Sequence, residues 1–204
     1  MRKCKLFFGD IKKEETWINA VQAKGYVFEG VGSYVPLYRF RKSKTGNYPI
    51  VKIDFRSFKK NEEYIDYIQL FNDYGWDHIS GSLWSGEQYF RQHSPTVSEE
   101  IFSDDASVVD MKKRLLKNVA FLFILFSLTS LSLLLSYQTG GYPSFLNPKS
   151  WYLTPGLWQL SGWDFWGHFL SETPFVLFRA PLLGIVYALF ALAYGRTYLT
   201  LKNR

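Results

Sequence analysis

Residues 119–137 read VAFLFILFSLTSLSLLLSY, and this stretch decides the fold of the chain. It carries no charged side chain and is close to the ~20 apolar residues that a helix needs to cross a bilayer. A second run, residues 175–198, reads FVLFRAPLLGIVYALFALAYGRTY and holds Arg179 and Arg196 towards its two ends. Long basic side chains at the ends of a span can reach the lipid headgroups. The two runs predict a transmembrane hairpin.

Basic residues predict the orientation of this hairpin in the cell membrane. The segment before the first run is basic, as is the end of the second, whereas the connecting loop, residues 138–174, holds only Lys149. Because positive residues are retained in the cytoplasm, both termini are predicted to be cytoplasmic and the loop external. The N-terminal MRKCKLFFGDIKKEE lacks the apolar run of a cleavable signal peptide. The flanking residues are Lys112, Lys113, Arg114 and Lys117 before the first run, and Arg196, Lys202 and Arg204 at the end of the second.

Composition sets further limits on this chain of 204 residues. The net charge of +6 is modest and common for membrane proteins with basic flanks, so it does not by itself indicate nucleic acid. Cys4 is the only cysteine, which excludes an internal disulfide and an all-cysteine metal site. The sequence predicts that this cysteine is buried in the first strand.

The external loop is rich in aromatic residues, and its stretch LWQLSGWDFWGHFLSE predicts a short interfacial helix. One interpretation is an aromatic belt without a ligand, since tryptophan favours the headgroup region. The other is an amphipathic surface that senses lipid or a membrane-active compound. Asp164 and His168 would be neighbours on a helix, but two side chains do not form a metal site. The residues predicted at the membrane interface are Trp151, Trp158, Trp163, Trp166 and Arg179.

Residues 1–94 predict a cytoplasmic α+β domain. The pattern is strand (KLFF), helix (KKEETWINAVQAKG), strands at 26–29, 36–41 and 50–56, a second helix after Asn61, and strands at 76–79 and 88–91. Gly25 and Gly75 end the two helices, and Asn61 is the expected N-cap of the second. The order predicts a ferredoxin-like sandwich, an antiparallel sheet with two helices on one face, followed by the two-helix hairpin.

One face of such a sheet would be uncovered and basic. By alternation, it carries Lys5, Lys52, Tyr89 and the residues that we predict to bind a partner, which are Arg39, Arg41, Asp54, Arg56 and Arg91. One interpretation is a solvated face whose arginines pair with neighbouring carboxylates. The other is a recognition face for an acidic peptide, a phosphate or RNA, with Asp54 and Arg56 as its centre. No aromatic RNA-binding signature is present, so direct binding of nucleic acid is not expected.

Residues 95–117 predict a linker and a helical stalk. Ser103 is the expected N-cap, and Asp104 and Asp105 suit the first turn of a helix. That helix could continue through MKKRLLKN into the first span, over ~34 residues and ~50 Å. A continuous helix would couple the cytoplasmic domain mechanically to residues 118–204, the transmembrane part.

Several ordered strings carry a resemblance to a known family. WINAVQAKGY, IDFRSFKKNEEYIDYIQLFNDYGW, QYFR and EIFSDDASVVDMKKR, within roughly residues 3–114, resemble a domain-of-unknown-function family of Gram-positive bacterial membrane proteins. Members pair such a domain with C-terminal transmembrane helices and are often encoded beside PadR-type transcriptional repressors. The resemblance implies a regulatory partnership. It carries no agreed activity, so it implies no catalytic residue.

These observations predict a non-enzymatic, membrane-anchored regulatory or sensory protein whose cytoplasmic domain binds a protein partner, either a transcriptional regulator or a membrane protein. The alternative is an accessory or immunity-type subunit of a membrane complex such as an exporter, with Arg179, Pro181 and Gly184 as contacts or simply as structural features of the hairpin. No GxSxG, HExxH, P-loop or GxGxxG motif indicates an enzyme, and paired glutamates such as Glu14 and Glu15 suit helix starts. We expect no catalytic residue, metal or cofactor, and the oligomeric state stays open.

Overall fold

The computed structural model describes residues 1–32, 35–43, 49–93, 100–102, 104–139, 147–179 and 182–203. The chain forms two compact units, Met1–Asn118 with Leu199–Arg204, and Val119–Tyr198. The elements in chain order are β1 (Arg2–Cys4), α1 (Ile11–Gln22), β2 (Tyr26–Val31), β3 (Leu37–Lys42), β4 (Val51–Phe55), α2 (Asn61–Asp73), β5 (Trp76–Ser80), β6 (Glu87–Gln92), α3 (Asp105–Thr139), α4 (Gly162–Arg179) and α5 (Leu182–Lys202). Short 3-10 helices lie at Pro148–Trp151 and Leu157–Gln159.

The strands of the N-terminal unit form two antiparallel sheets of three strands rather than the single sheet that the sequence predicts. Their strand orders are β1-β3-β2 and β4-β6-β5. The sheets meet where the Ser80 hydroxyl of β5 accepts from the Val31 amide of β2 at 3.2 Å and lies 3.5 Å from the Val31 carbonyl. An α+β domain is therefore present, and the ferredoxin-like arrangement is not confirmed.

Each sheet is built from the same strand-helix-strand-strand unit, with the last strand between the other two. Corresponding positions recur fifty residues apart, as Gly25 and Gly75 after the helices and Phe40 and Phe90 in the central strands show. Both glycines have positive φ, 96° and 85°, a conformation that favours glycine at the end of a helix. The domain is thus a tandem pair of equivalent structural units.

Polar side chains of α1 occupy the free edge of β4 and explain why this strand does not pair with the first sheet. Asn19 donates to the Val51 carbonyl and accepts from the Val51 amide, both at 2.9 Å. The Glu15 carboxylate accepts from the Ile53 amide at 2.8 Å. These bonds replace those of a neighbouring strand, so the backbone groups of β4 remain paired.

Several local predictions need correction. β1 spans Arg2–Cys4, earlier than the predicted KLFF strand, and Cys4 is exposed rather than buried. The N-cap of α2 is Lys60, without a side-chain hydrogen bond, so Asn61 is the first helical residue. Phe8 follows β1 with φ of 50° and turns the chain towards α1.

Helix α3 confirms the predicted continuous helix, since its 35 residues run from the linker through the first apolar run. Ser103 lies outside the described residues, and Asp104 accepts from the Ser107 amide at 2.7 Å, the hydrogen bond of an N-terminal cap. Helices α3 and α5 are both long and apolar enough to cross a membrane. The second candidate span begins at Leu182 rather than at residue 175, because residues 175–179 belong to α4. A proline at 181 suits such a boundary, since it has no amide hydrogen.

Candidate functional site

A cavity of about 810 Å³ lies within the N-terminal unit. Its walls come from the end of β4, the second half of α2, residues 100–102 and the first turns of α3. The charged lining residues are Asp54, Arg56, Glu100, Asp104, Asp110 and Arg114, and the aromatic ones are Tyr67, Phe71, Tyr74, Trp76 and Phe102. Two residues that the sequence marks as a recognition pair, Asp54 and Arg56, therefore line the same cavity.

Asp54 is a buried carboxylate with a full set of donors, 1% exposed. It accepts from the Tyr67 hydroxyl at 2.7 Å and from the Phe55 amide at 2.7 Å. Arg114 of α3 lies 3.4 Å away and also donates to the Phe55 carbonyl at 2.9 Å. Burial, with the adjacent carboxylate, raises the pKa of Tyr67, so its hydroxyl remains a donor. The prediction that Asp54 lies on an uncovered face is wrong, because α2 and α3 cover it.

Arg56 differs from the other charged groups of the cavity. Its guanidinium carbon lies 5.2 Å from the centre of the Phe58 ring and 5.5 Å from that of Tyr67, within the range of cation–π contacts. Within the described parts of the chain, its guanidinium has no ion pair or hydrogen bond. The Asp54–Arg114 pair is internally neutral, and Arg56 is a further guanidinium in the same lining, with its N–H donors not used by the described residues.

The remaining carboxylates of the cavity all have partners. Asp104 accepts from the amide and the hydroxyl of Ser107, at 2.7 and 2.8 Å. Asp110 pairs with Lys113 at 3.4 Å. Glu100 pairs with Lys52 at 3.6 Å. Among the described charged residues that line the cavity, Arg56 is therefore the one whose hydrogen-bonding groups are left open to a ligand, while Asp104 keeps its negative charge beside neutral donors.

The other predicted partner-binding residues lie elsewhere. Arg39 and Arg41 are exposed on β3 of the first sheet, and Arg41 pairs with Glu29 at 3.0 Å. Arg91 lies on β6 of the second sheet and pairs with Asp77 at 3.5 Å. The five predicted residues do not form one face, and the structure brings together only Asp54 and Arg56.

The first sheet does present an uncovered basic face. Arg2 faces Arg39 across the β1–β3 register, and Arg41 follows on the same side of β3. All three side chains are exposed, as is Cys4. Of the five predicted residues, this face carries Arg39 and Arg41, and it belongs to the first sheet.

A second buried acidic group lies between α1 and both sheets. Glu14 is 3% exposed and accepts from the Tyr38 hydroxyl at 2.8 Å and the Tyr89 hydroxyl at 2.6 Å. Burial raises its pKa to about 7, against the opposing effect of the two hydroxyls. Glu14 lies in the first turn of α1, where the sequence places it, and it also joins α1 to both sheets through the two hydroxyls. No sequence pattern indicated this site, because the partners of Glu14 lie far along the chain.

The second unit contains the paired apolar helices. The Ser130 hydroxyl of α3 donates to the Gly184 carbonyl of α5 at 2.8 Å. A Cβ on Gly184 would lie 2.9 Å from Leu134, so the glycine allows close helix packing. Phe126 stacks on Tyr187, Phe190 and Tyr194 with centroid distances of 5.4 to 5.7 Å. Gly184 thus serves packing within the hairpin.

The aromatic segment between these helices is folded. Tyr152 stacks on Phe169 at 5.0 Å, and the Trp158 indole donates to the Lys149 carbonyl at 3.0 Å. The Glu172 carboxylate accepts from the amides of Leu153 and Thr154, at 2.6 and 3.1 Å. The predicted short helix is the longer α4.

The predicted interface residues divide into two groups. Trp163 and Trp166 are 91% and 52% exposed on α4. Trp158 is 42% exposed and its indole is held by the hydrogen bond to the Lys149 carbonyl, whereas Trp151 is partly buried. Arg179 ends α4, and its side chain and Pro181 lie outside the described residues.

The comparison with protein families identifies the family to which the chain belongs. The model of the family described as protein of unknown function (DUF2812) matches residues 10–124, which is more than half of the chain. The chain belongs to the DUF2812 family. No curated protein and no solved structure matches it.

The DUF2812 match includes α1, both sheets from β2 onwards and the first part of α3. It therefore contains the cavity, Arg114 and the buried Glu14. Among the residues that the structure describes, no group of three or more His, Cys, Asp or Glu side chains could hold a metal ion. The family description names no activity, so the chemistry of the DUF2812 domain has to be argued from its surfaces.

Proposed function

We propose that this protein is a non-enzymatic, membrane-anchored regulator whose N-terminal domain binds a cytoplasmic protein through the basic face of its first sheet. The partner surface is acidic, and a transcriptional regulator is the expected kind of partner. The observation that supports this proposal most directly is the uncovered face formed by Arg2, Arg39 and Arg41. The domain that presents this face precedes two helices apolar enough to cross a membrane.

Charge complementarity supports an acidic partner. Arg2 and Arg39 face each other on neighbouring strands, and like charges placed opposite each other disfavour the isolated sheet. An acidic surface would relieve this repulsion, and guanidinium groups suit planar, bidentate pairing with carboxylates. Electrostatic matching of this kind mainly determines partner choice and the association rate.

The basic residues in the N-terminal part of α3 and at the end of α5 support a hairpin with both termini in the cytoplasm. In this arrangement the N-terminal domain meets cytoplasmic partners and residues 147–179 face the outside. Trp163 and Trp166, exposed on α4, would then lie in the outer headgroup region. Helix α3 is shared by the two units, so it offers a continuous route between a cytoplasmic partner and the membrane segment.

The topology can be tested with the natural Cys4, which is exposed and is the only cysteine. A membrane-impermeant maleimide should label Cys4 only after cells are permeabilised. The matched variant combines Cys4→Ser with Ser161→Cys, which moves the single thiol to an exposed position before α4. This thiol should react in intact cells. Labelling of Cys4 in intact cells would refute the proposed orientation.

Partner binding can be tested by cross-linking and affinity purification of the full-length protein from its own membranes. The double variant Arg39→Ala with Arg41→Ala should recover much less of an acidic cytoplasmic regulator than the wild type. Lys59→Ala with Lys60→Ala is the matched control, since it removes the same charge from exposed positions outside the first sheet. Equal recovery by both double variants would refute the proposed face. Recovery of an integral membrane protein instead would favour the accessory-subunit alternative.

A further inference from the structure

The cavity beside Arg56 has the dimensions of a small-molecule site. Its volume of about 810 Å³ lies within the roughly 300–1,000 Å³ typical of ligand pockets. It combines a few polar groups in fixed positions with apolar walls, as such pockets do. It is separate from the basic face of the first sheet, because none of that face's arginines lines it.

The positions of the charged groups define which end of a ligand would be recognised. Arg114 is engaged by Asp54 and the Phe55 carbonyl, and each remaining lining carboxylate is bonded to a neighbour. Arg56 is held over two aromatic rings, which fixes its plane without using its N–H donors. A guanidinium oriented in this way is prepared for bidentate contact with a carboxylate or a phosphate.

The apolar part of the cavity defines the other end. Leu70 and Tyr74 of the α2 region line it while remaining 53% and 65% exposed. Large apolar side chains that stay open to solvent beside a charged anchor are typical of sites that cover a hydrophobic ligand body. Phe102 lies on the opposite segment and belongs to the same lining.

We propose that this cavity binds a small acidic molecule with an apolar or aromatic body. Its carboxylate or phosphate pairs with Arg56, and its body lies against Leu70 and Tyr74. The first turns of α3 form another wall, through Ser107, Asp110 and Arg114. A bound ligand therefore contacts the same helix that continues into the apolar run.

Isothermal titration of the full-length protein in matched detergent tests this proposal. The acidic probes are 2-naphthoate and 2-naphthyl phosphate, and their cationic counterpart is 2-naphthylmethylamine. We expect both acids to bind the wild type with a dissociation constant below millimolar, and the amine at least about tenfold more weakly. The stronger of the two acids identifies the acid group that the site prefers.

Two variants with matched controls make the result specific. Arg56→Gln should weaken binding of the acids by about tenfold or more, the loss expected for a charge-assisted hydrogen bond. Lys59→Gln, at an exposed position outside the cavity, should leave binding unchanged. Leu70→Glu should abolish binding by placing a carboxylate at the cavity, and Ile65→Glu, exposed on α2 outside the cavity, should not. Arg56, Leu70 and Ile65 are all exposed, so the folded protein should persist, which thermal unfolding checks.

Three results would overturn the proposal. These are the absence of binding by both acids at millimolar concentration, equal binding of acids and amine, and equal binding by the wild type and Arg56→Gln. The outcome does not depend on the partner-binding face, since the titration uses purified protein and the purification experiment uses variants of Arg39 and Arg41.

Discussion

The buried carboxyl of Glu14 should make the stability of the N-terminal unit fall as the pH rises through neutrality. Its pKa is raised from 4.5 to about 7 in the folded protein, because burial penalises the charged form more than the Tyr38 and Tyr89 hydroxyls stabilise it. We therefore predict that Glu14→Gln, which removes the titration but keeps the shape, flattens the dependence of the free energy of unfolding on pH. Gln can still accept from both tyrosines through its carbonyl oxygen.

The sign and size follow from proton linkage. Below pH 4.5 the carboxyl is protonated in both states, and the contribution of Glu14 to the free energy of unfolding is at its largest. Between 4.5 and about 7 the unfolded chain releases this proton while the folded protein retains it, so stability falls with rising pH. The accumulated loss is about 3 kcal/mol above neutrality. For a domain of this size, this loss corresponds to a decrease in Tm of roughly 10 °C.

Thermal unfolding of the full-length protein in detergent, followed by tryptophan fluorescence between pH 4.5 and about 8, measures this effect. Glu15 and Glu87 also have raised pKa values through burial, so the wild-type curve contains their contributions. The difference between the wild type and Glu14→Gln isolates Glu14. Glu63→Gln, at an exposed position on α2, is the control and should follow the wild type. If the wild type and Glu14→Gln lose Tm in parallel across this range, the reasoning about Glu14 is refuted.

Two further substitutions test how the units hold together. Asn19→Ala should destabilise the N-terminal unit by about 2 kcal/mol, because both hydrogen bonds to Val51 are lost at a strand edge. Asn19→Asp should not restore stability, since a carboxylate cannot donate to the Val51 carbonyl. Equal thermal unfolding curves for Asn19→Ala and the wild type would contradict this prediction. Gly184→Ile should destabilise the helix pair by about 1–3 kcal/mol through overpacking against Leu134. Gly167→Ala should be neutral or stabilising, because a Cβ at this position would meet no atom within 4 Å. Thermal unfolding in detergent compares the two variants, and an unchanged Tm for Gly184→Ile would contradict the close packing.

The order of helices and strands could be predicted from the sequence because it depends on local patterns. Strand alternation, the glycines after the helices and the length of the apolar runs act within a few residues of each other. The continuous α3 was predictable for the same reason, since nothing between Asp105 and the apolar run breaks a helix. The start of α5 was misplaced because hydrophobicity alone continues across residues 175–181.

The division into two sheets and the cavity could not be predicted in this way. Alternation along β4 assigns Asp54 to the face opposite Val51 and Ile53, and it says nothing about what covers either face. Glu14 and Glu15 occur at a helix start, so their sequence context suggests dipole compensation. Their roles depend on Tyr89 and Ile53, which only the tertiary structure brings near.

The tandem arrangement also explains why the two repeats present different surfaces. Helix α1 contacts the first sheet through the Tyr38 bond to Glu14 and the second sheet through Tyr89 and Val51. One face of the second sheet is therefore occupied by α1, and the other by α2 and Arg114 of α3. The first sheet has α1 on one side only, which leaves its arginine face open. Equivalent strands thus give a flat basic surface in the first repeat and a cavity open to solvent in the second. This difference is the reason to assign a protein partner to one and a small acidic ligand to the other.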